Sequence, residues 1–348
     1  MNFRQNRRLV ILTEGRLDLF SAKTAVSLIR YCKEDVVALI DRVNAGNDTE
    51  SIIRIGKGIP ILSTVEDSLC LNPNALLIGI APPGGMLPDE WRKPIVDALK
   101  NGLHIISGLH CHLSDDQEFL RLANERHVEI WDVRKFPEDI PLGTGKARNT
   151  RTLRILTVGS DCNIGKMVTS IEIARAARMR GMHACFVATG QTGIMIDGSG
   201  IAVDHVVSDF ISGAAEKLVL DRAQYQLLSI EGQGAIVHPA YSGVTIGLLH
   251  GSAPQGLILC HQPGRKTLRH FSDFPVLPLS YLIDLYEKLA QPVFPCKVLG
   301  ISLNCFGMTD YDALQEIQRI EQEIKLPATD PVKFGVNKFM DSIQSLFP

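Results

Sequence analysis

The strongest constraint on the fold is one stretch near the middle of the chain, residues 156–170, which reads LTVGSDCNIGKMVTS. A predicted apolar strand leads into a loop that runs from Gly159 to Gly165-Lys166, and a helix with apolar periodicity follows. Loops of this kind bind anions because their main-chain N–H groups, with those at the helix start, surround the ligand, and the lysine adds a full charge. The stretch therefore predicts an α/β domain with a phosphate-binding loop.

The loop departs from the common pattern G-x-x-x-x-G-K-[ST] at two positions. Ser160 stands at the first glycine, and Met167 stands where a Ser or Thr hydroxyl normally holds Mg²⁺. Thr169 points to another face of the helix, and Ser170 lies about one turn (~4.5 Å) deeper. Phosphoryl transfer depends on that metal to neutralise the charge that develops on the γ-phosphate. We therefore expect an anion that is held rather than transferred, such as the pyrophosphate of a coenzyme, and we do not expect Mg²⁺ to be essential.

A variant pattern, G-[ST]-D-x-x-[VI]-G-K, fits residues 159–166 in full and resembles the loop of dethiobiotin synthase. The nearby GTGK at 143–146 has no apolar strand before it, so we do not interpret it as a second phosphate loop. The residues that we expect to bind phosphate or cofactor in the loop are Gly159, Ser160, Asp161, Asn163, Gly165, Lys166 and Met167.

Three later segments each follow a predicted strand and resemble parts of the same synthase. They are GQTG at 190–193, with the candidate substrate-binding residues Gln191 and Thr192; IEGQG at 230–234, with Glu231; and LGISLN at 299–304, with Asn304. A carboxylate at the C-terminal end of a strand favours a metal ligand or general base over a solvated turn. Asn304 either contacts an adenine ring, as in related proteins, or only caps its strand.

Two further features bear on the resemblance to the synthase: one departs from its pattern, and the other allows two interpretations. Ala188 stands where the synthase-like pattern has a substrate-binding lysine. The segment HQPGRKTLRH (261–270) carries a basic cluster, in which Arg265 is suited to bind a carboxylate or a nucleotide phosphate. The alternative for this cluster is the solvated start of a basic helix, because charge runs usually face water. Asp161 or Glu231 remains able to recruit Mg²⁺.

Composition excludes several classes of protein. With 348 residues the chain predicts about two domains, and with 45% apolar and 21% charged residues it is typical of a globular protein. The net charge of −2 argues against a broad nucleic-acid surface. No run approaches the ~18 apolar residues of a membrane span, and the apolar run at 9–12 is too short for a signal peptide. The eight cysteines form no Cys-x-x-Cys pair, which predicts a reducing cytoplasm.

Both halves of the chain alternate predicted strands with predicted helices, which indicates βαβ units and mainly parallel sheets. In the first half, strands are predicted at 8–13, 36–41, 59–62, 75–81, 103–109 and 128–131, and helices at 21–32, 89–101 and 115–126. In the second half, strands are predicted at 153–158, 183–188, 225–230, 256–260 and 297–303, and helices at 171–180, 310–324 and 336–346. The Pro- and Gly-containing segment 135–151 interrupts the pattern, so we predict domains at 1–140 and 141–348.

In the first half, SGLHCHLSDD (107–116) places His110 and His112 at the end of a predicted strand. If the strand continues, the two imidazoles share one face. A metal site is conceivable, but no further ligands stand at a recognisable spacing, and the alternatives are the lining of a polar pocket or structural histidines. APPGG at 81–85 is either a turn that lets the backbone approach a ligand or a tight corner.

The chain as a whole resembles the D-glutamate N-acetyltransferase (DgcN-like) family. The segments that carry the resemblance are TEG (13–15), APPGG, GLHCHL, WDVR (131–134), GSDCNIGKM, GQTG, EGQGA and HQPGR. The resemblance implies a Rossmann-like N-terminal domain and a P-loop NTPase-like C-terminal domain with a parallel sheet. It also implies acetyl transfer from acetyl-CoA to a D-amino acid, and it identifies no catalytic residue.

Three functions remain open at this stage. The first is an acyl-CoA-dependent N-acyltransferase in which Glu231, His110 or His112 accepts the amine proton and Arg265 binds the substrate carboxylate. The second is an ATP- and Mg²⁺-dependent ligase or kinase of the dethiobiotin synthase type, and the third is a nucleotide-sensing protein without catalysis. The cofactor is thus acetyl-CoA or ATP. We expect a small-molecule substrate and a homo-oligomer, with no nucleic-acid or membrane partner.

Overall fold

The chain was analysed as a computed structural model that describes residues 4, 6–19, 21–80 and 85–346. Two compact units are present, Met1–Phe136 with Ile194–Ser199, and Pro137–Gly193 with Gly200–Pro348. Each unit contains a parallel β-sheet with helices, so the predicted α/β class is confirmed. The predicted boundary between residues 140 and 141 stays a prediction.

The sheet of the first unit has, within the described residues, six strands in the order β3-β2-β1-β4-β5-β6. All neighbouring pairs are parallel. The strands are β1 (Leu9–Leu12), β2 (Val36–Ile40), β3 (Ile61–Leu62), β4 (Ala75–Ile78), β5 (His104–Ser107) and β6 (Ile130–Asp132). Strands β1 and β4 are buried along their whole length, as expected for the centre of a sheet covered on both faces. This strand order is that of dinucleotide-binding folds.

The helices of the first unit follow the same alternation. They are α1 (Lys23–Tyr31), α2 (Thr49–Ile53), α3 (Val65–Ser68), α4 (Asp89–Lys100) and α5 (Gln117–Arg126). Helix α5 begins where it does because the Asp116 side chain accepts hydrogen bonds from the N–H groups of Glu118 and Phe119. Its start therefore lies two residues after the predicted one. None of the helices in the described part of the chain has the length and apolar character of a membrane span.

The sheet of the second unit has six described strands in the order β14-β13-β10-β7-β9-β8, again with parallel neighbours. They are β7 (Leu153–Gly159), β8 (Ala184–Val187), β9 (Leu227–Ile230), β10 (Gly256–His261), β13 (Lys297–Leu303) and β14 (Ala328–Thr329). A separate antiparallel hairpin consists of β11 (Thr267–Leu268) and β12 (Phe271–Pro275). Strand β7 is buried throughout and lies between β9 and β10. The C-terminal ends of these three strands therefore meet at one edge of the sheet.

The helices of the second unit include several that the sequence pattern did not predict. They are α6 (Lys166–Met179), α8 (Ile211–Leu220), α9 (Ser242–Ser252), α10 (Leu279–Ala290), α11 (Asp310–Ile324) and α12 (Asn337–Gln344). A further helix, α7 (Gln191–Asp197), begins in this unit, and its residues from Ile194 belong to the first unit. Helix α6 begins at Lys166, five residues before the predicted start, because it continues directly from the loop. Its residues Ile173 and Ala177 pack in a core with Ile155 of β7 and Phe339 of α12. That packing fixes the position of the loop between β7 and α6.

Candidate functional site

The loop between β7 and α6 has main-chain amides that the protein leaves open. Asn163 and Gly165 adopt left-handed conformations with φ of 56° and 108°, which turn the chain sharply before α6. Ser160 N donates to Cys260 O at 3.0 Å, and Cys162 N donates to the Asp161 carboxylate at 2.6 Å. Among the described residues, no protein acceptor faces the N–H groups of residues 163–168. Such a row of open amides at the start of a helix is typical of anion-binding sites, and residues 163–168 are named the anion cradle below.

The side chain of Lys166 folds back over this loop. It is buried, and its Nζ donates to Asp161 O at 2.9 Å. Burial lowers the pKa of Lys166, because the charged form loses its hydration. Gly159 makes room for the ammonium group, since a Cβ at that position would lie 3.0 Å from Nζ. The cradle thus has its cation already in place.

The carboxylate of Asp161 is fully buried and joins the loop to the segment after β10. Its Oδ2 accepts hydrogen bonds from Arg265 Nη1 at 2.5 Å and from Arg269 N at 2.9 Å. The same Arg265 nitrogen donates to Cys162 O at 3.0 Å. Asp161 is therefore part of the scaffold of the loop, because both its oxygens accept hydrogen bonds from protein groups.

The interpretation of residues 261–270 as the start of a basic helix is wrong. The segment leaves β10, turns at Gly264 and enters the β11–β12 hairpin. Pro263 and Gly264 favour a turn here, and the buried Asp161 holds the segment against the loop. The structure therefore places Arg265 at the anion cradle. Its role in binding a substrate carboxylate stays a prediction.

Ser160 forms a partly buried polar pair with His261, the last residue of β10. Ser160 Oγ and His261 Nδ1 lie 2.9 Å apart, because β7 and β10 are neighbours and Gly159 pairs with Cys260. The pKa of His261 is lowered to about 4, chiefly by burial; the charge of Glu316 opposes this shift, and the charges of Arg265 and Arg319 contribute to it. The imidazole is therefore neutral near pH 7.

The hydroxyls on α6 do not substitute for the one that Met167 lacks. Thr169 Oγ1 donates to Gly165 O at 3.0 Å and lies 2.7 Å from Ser302 Oγ. Ser170 Oγ lies 3.0 Å from Ser229 Oγ. Both hydroxyls are thus engaged away from the cradle, and for Thr169 this agrees with the different face predicted from helical periodicity.

Glu231, at the end of β9, organises the turn before α7. Its buried Oε2 accepts hydrogen bonds from Thr189 N at 3.0 Å and from Gly190 N at 3.1 Å. Gly193 leaves room for this carboxylate, since a Cβ there would lie 2.4 Å from Oε2. The predicted substrate-binding residues Gln191 and Thr192 are the first two of α7, so Glu231 positions that segment. Whether Glu231 also serves as a base stays a prediction.

Asn304 follows β13 and continues the same edge of the sheet. Its N–H donates to His261 O at 2.8 Å, and its Oδ1 accepts a hydrogen bond from Phe306 N at 3.2 Å. The side chain therefore stabilises a turn, as in the alternative considered from the sequence. A contact with adenine stays a prediction.

Three residues of the site carried no recognised signal in the sequence. Tyr286 OH donates to Gly159 O at 2.8 Å and accepts from Ile236 N at 3.0 Å, and burial raises its pKa. His238 and His261 contact the loop as well. The position of His261 at the end of a predicted strand was a usable signal, because strand ends meet at one edge. Tyr286 lies in α10, which had not been predicted.

Asp161, Cys162 and His238 place three ligand-type atoms within 4.8 Å of one another. His238 Nε2 lies 3.9 Å from Asp161 Oδ1 and 3.2 Å from Arg269 O, while its Nδ1 accepts a hydrogen bond from Ala240 N. The carboxylate accepts hydrogen bonds on both oxygens, and burial raises the pKa of the Cys162 thiol. These groups therefore suit a hydrogen-bonded scaffold better than a cation site.

In the first unit, the expectation that His110 and His112 lie on one face of a strand is wrong. Strand β5 ends at Ser107, and the following residues form bends. The chain leaves the sheet here because Asp132, at the end of β6, accepts hydrogen bonds from the N–H groups of residues 113 and 114 at 3.0 and 2.9 Å. His112 Nδ1 lies 3.7 Å from Asp115 Oδ2. Of the predicted turn at 81–85, residues 81–84 lie outside the described part of the chain.

The segment GTGK at 143–146 contributes main-chain amides to a hydrogen-bond network with a side chain of the protein itself. The buried carboxylate of Glu216 accepts hydrogen bonds from Thr144 N at 2.7 Å and from Ala147 N at 3.2 Å. Burial raises the pKa of Glu216, but these hydrogen bonds outweigh it and the net pKa is lowered. The amides of this turn therefore serve the carboxylate of the protein itself.

Known proteins match both units. A family model described as "Domain of unknown function (DUF1611_C) P-loop domain" matches residues 141–340, and "DUF1611_N Rossmann-like domain" matches residues 42–136. A crystal structure of a DUF1611 family protein from Anabaena variabilis superposes with a TM-score of 0.94 at 39% identity, and it covers 98% of this chain and 100% of its own. The expectation of a Rossmann-like and a P-loop domain is thus confirmed.

Two relatives carry the name of an enzyme. A protein named D-glutamate N-acetyltransferase from Tritonibacter scottomollicae is 34% identical over 330 residues, which are 94% of this chain and 96% of the relative. A protein of the same name from Pseudoalteromonas sp is 36% identical over 276 residues, 78% of this chain and 82% of the relative.

Proposed function

The chain belongs to the DUF1611 family, and we propose that it is a P-loop N-acetyltransferase that moves the acetyl group of acetyl-CoA to the amino group of D-glutamate or a similar small acidic amino acid. The names of the two relatives support the reaction class and the substrate. The geometry of the loop supports the choice of a coenzyme that is held by its phosphates.

The observation that carries the proposal is an anion cradle without a metal hydroxyl. The open N–H groups of residues 163–168 and the buried Lys166 suit a diphosphate. Met167 offers no hydroxyl to Mg²⁺, and Thr169 and Ser170 are bonded elsewhere. A loop that transfers a phosphoryl group needs that metal, whereas a loop that only anchors the diphosphate of CoA does not.

The reaction requires three events at the acetyl group. The substrate ammonium loses a proton, its nitrogen forms a bond to the thioester carbonyl carbon and gives up a second proton, and the C–S bond breaks so that the CoA sulfur leaves and takes up one proton as a thiol. In the proposal the diphosphate anchor holds the thioester in place, so that its contribution is positional. Glu231, His110 and His112 stay the candidate bases, and Glu231→Gln, His110→Ala and His112→Ala variants rank them by their effect on the rate at one pH.

The test is thiol release from acetyl-CoA, followed with a chromogenic thiol reagent in the presence of D-glutamate, L-glutamate or no acceptor. The exposed Cys70 reacts with the same reagent, so a reaction without acceptor supplies the background. We expect release that depends on D-glutamate and the appearance of the N-acetyl product by mass spectrometry. Absence of acceptor-dependent release with both enantiomers contradicts the proposed reaction.

The Lys166→Ala variant tests the anchor. Loss of one charge-assisted contact to a phosphate is expected to weaken CoA binding about 10- to 100-fold. The matched control is Lys338→Ala, which removes an equal charge from the ion pair with Glu321. Glu321 also accepts a hydrogen bond from Ala328 N, at the start of the outermost strand β14, so strands β13 and β10 separate the control from β7. Equal CoA affinities of the two variants contradict the assignment of the loop.

A thermal-shift titration compares this function with the ATP-dependent alternative, since ligands that bind the native state raise its Tm. The ligands are CoA, acetyl-CoA, ATP and ATP with Mg²⁺. We expect shifts with CoA and acetyl-CoA. A shift with MgATP alone, together with ATP turnover that disappears in Lys166→Ala, establishes a ligase or kinase instead.

A further inference from the structure

The segment that contains the β11–β12 hairpin is fastened to the anion cradle at several points. Arg269 N donates to the Asp161 carboxylate at 2.9 Å, and Arg269 O lies 3.2 Å from His238 Nε2. The ring of Phe271 meets the His238 ring edge to face, with centroids 5.1 Å apart. Two contacts therefore hold the backbone of residue 269, and a ring contact holds Phe271 close by; none of the three involves the Arg269 side chain.

This segment contains three basic side chains, and only one of them is paired with an acidic side chain among the described residues. Arg265 is paired with the Asp161 carboxylate. Lys266 is exposed, and Arg269 Nε donates to His270 Nε2 at 3.2 Å. Neither of these two side chains forms an ion pair with any described residue. Two cations without acidic partners among the described residues thus flank β11, and the backbone at the Arg269 end is anchored to the loop.

The charge of Arg269 acts at the loop itself. Burial raises the pKa of the Cys162 thiol, and the nearby positive charges of Lys166, Arg269 and Arg265 oppose that rise. Arg269 therefore lies close enough to a loop residue to influence its protonation. On the same hairpin, Asp273 accepts a hydrogen bond from Ser272 and forms no ion pair with the basic side chains among the described residues.

We propose that Lys266 and Arg269 form a second anion subsite, which binds a phosphate monoester separate from the diphosphate in the loop. This inference rests on the proposed function, in which the ligand is CoA, and the phosphate monoester is then the 3′-phosphate of the coenzyme ribose. A monoester dianion beside two unpaired cations is stabilised by both charges, and the arginine binds two of its oxygens at once. ATP has no 3′-phosphate, so the subsite also selects CoA over adenine nucleotides.

The experiment measures the affinities of CoA and of 3′-dephospho-CoA by isothermal titration at one fixed salt concentration, since salt screens exposed charges. The proteins are the wild type, Lys266→Ala, Arg269→Ala and the double variant, with Lys338→Ala as the control of equal charge. Replacing the side chain of Arg269 leaves its N–H and C=O contacts intact, so the hairpin keeps its anchors.

We expect the wild type and the Lys338→Ala control to bind CoA about 10- to 100-fold more tightly than 3′-dephospho-CoA. In the double variant the affinity for CoA is expected to fall to that for 3′-dephospho-CoA, whose own affinity stays unchanged. Each single variant is expected to lose part of the preference for CoA over 3′-dephospho-CoA.

Two outcomes overturn the inference while leaving the proposed function intact. In one, the wild type binds both ligands equally, and in the other its preference for CoA survives in the double variant. Failure of the proposed function is a different result, in which neither ligand binds any of the proteins and no acetyl transfer occurs. That result overturns the subsite as well. Equal weakening of both ligands in the double variant contradicts a subsite for the monoester, because it indicates an effect on the loop.

Discussion

The two units begin with the same construction, a buried parallel strand followed by a turn, yet the main-chain amides of the two turns are used differently. After β1, Thr13 N and Glu14 N both donate to Ile40 O, and Arg16 N donates to Thr13 O. After β7, the N–H groups of residues 163–168 have no acceptor among the residues that the structure describes. The comparison teaches that strand order alone does not create an anion site. Unsatisfied amides do, and the loop after β7 creates them with a left-handed turn.

Acidic residues complete the contrast. Asp41, at the end of β2, accepts hydrogen bonds from Thr13 Oγ1 at 3.0 Å and from Val43 N at 3.1 Å, with no cation beside it among the described residues. Asp161 instead forms an ion pair with Arg265 and holds it beside the cradle. In a dinucleotide-binding fold the acidic residue after the second strand is free to bind a ribose. In this protein the first unit uses it to close its own turn.

The largest expected effects are at two corresponding glycines. Gly232 follows β9, which lies beside β7, and Gly79 follows β4, which lies beside β1. A Cβ on Gly232 would lie 1.7 Å from Thr157 O, which is main chain and cannot move aside. A Cβ on Gly79 would meet Ile11 Cγ2 at 2.5 Å, which is a side chain. We expect Gly232→Ala to lower the free energy of unfolding by more than about 4 kcal/mol, and Gly79→Ala by about 1–3 kcal/mol.

Denaturant unfolding monitored by circular dichroism measures both changes. Gly243 is the control, because it lies in α9 and a Cβ added there would have no described atom within 4 Å. Alanine at this position is expected to be neutral or to stabilise by up to about 1 kcal/mol. Similar losses for Gly79→Ala and Gly232→Ala contradict the distinction between backbone and side-chain neighbours.

The next effect separates the two carboxylates. Asp161→Asn removes the charge that balances Arg265, and we expect a loss of about 3 kcal/mol, since breaking a buried ion pair leaves a charge without compensation. Asp41→Asn removes hydrogen bonds between neutral groups and the carboxylate, and we expect about 1–2 kcal/mol.

The probes differ for the two variants. Trp91 and Trp131 both lie in the first unit, so their fluorescence reports that unit, whereas circular dichroism reports both. Asp41→Asn is expected to change the fluorescence transition, and Asp161→Asn the dichroism transition together with CoA affinity. If Asp41→Asn loses as much CoA affinity as Asp161→Asn, the proposed difference between the two carboxylates is wrong.

The smallest effect concerns pH. The pKa of His261 is lowered to about 4 in the folded state, chiefly by burial, against about 6.5 in the unfolded chain. The folded state binds fewer protons, so this residue contributes stability that is complete above about pH 6.5 and is lost as the pH falls towards 4. We expect about 2 kcal/mol to be lost over that interval.

Replacement by asparagine checks the assignment to His261. The His261→Asn variant is expected to lose less stability than the wild type between pH 6.5 and 4. In the first unit, burial also lowers the pKa of His104, whose Nδ1 accepts a hydrogen bond from Glu129 N, so His104→Asn should act in the same direction but less strongly. Parallel pH profiles for the wild type and His261→Asn contradict a buried neutral imidazole.

The elements that the sequence predicted best are those whose signal is local. Strand β7, the loop at 159–166 and the helix after it follow from a short run of neighbouring residues, and α11 and β13 have the predicted bounds. The incorrect predictions concern segments whose conformation depends on contacts with residues far away in the sequence. The chain turns after Ser107 because of Asp132, and residues 261–270 form a hairpin because of Asp161.

By itself, the amino-acid sequence determined the fold class, the phosphate loop and the absence of its metal hydroxyl, because each depends on residues close together in the chain. Only the tertiary structure decided what surrounds the loop. Ser160 meets His261 across 101 residues, Asp161 meets Arg265 across 104, and Gly159 meets Tyr286 across 127. Those contacts depend on β9 and β10 flanking β7, and a strand order is set by the packing of the whole sheet rather than by any one segment.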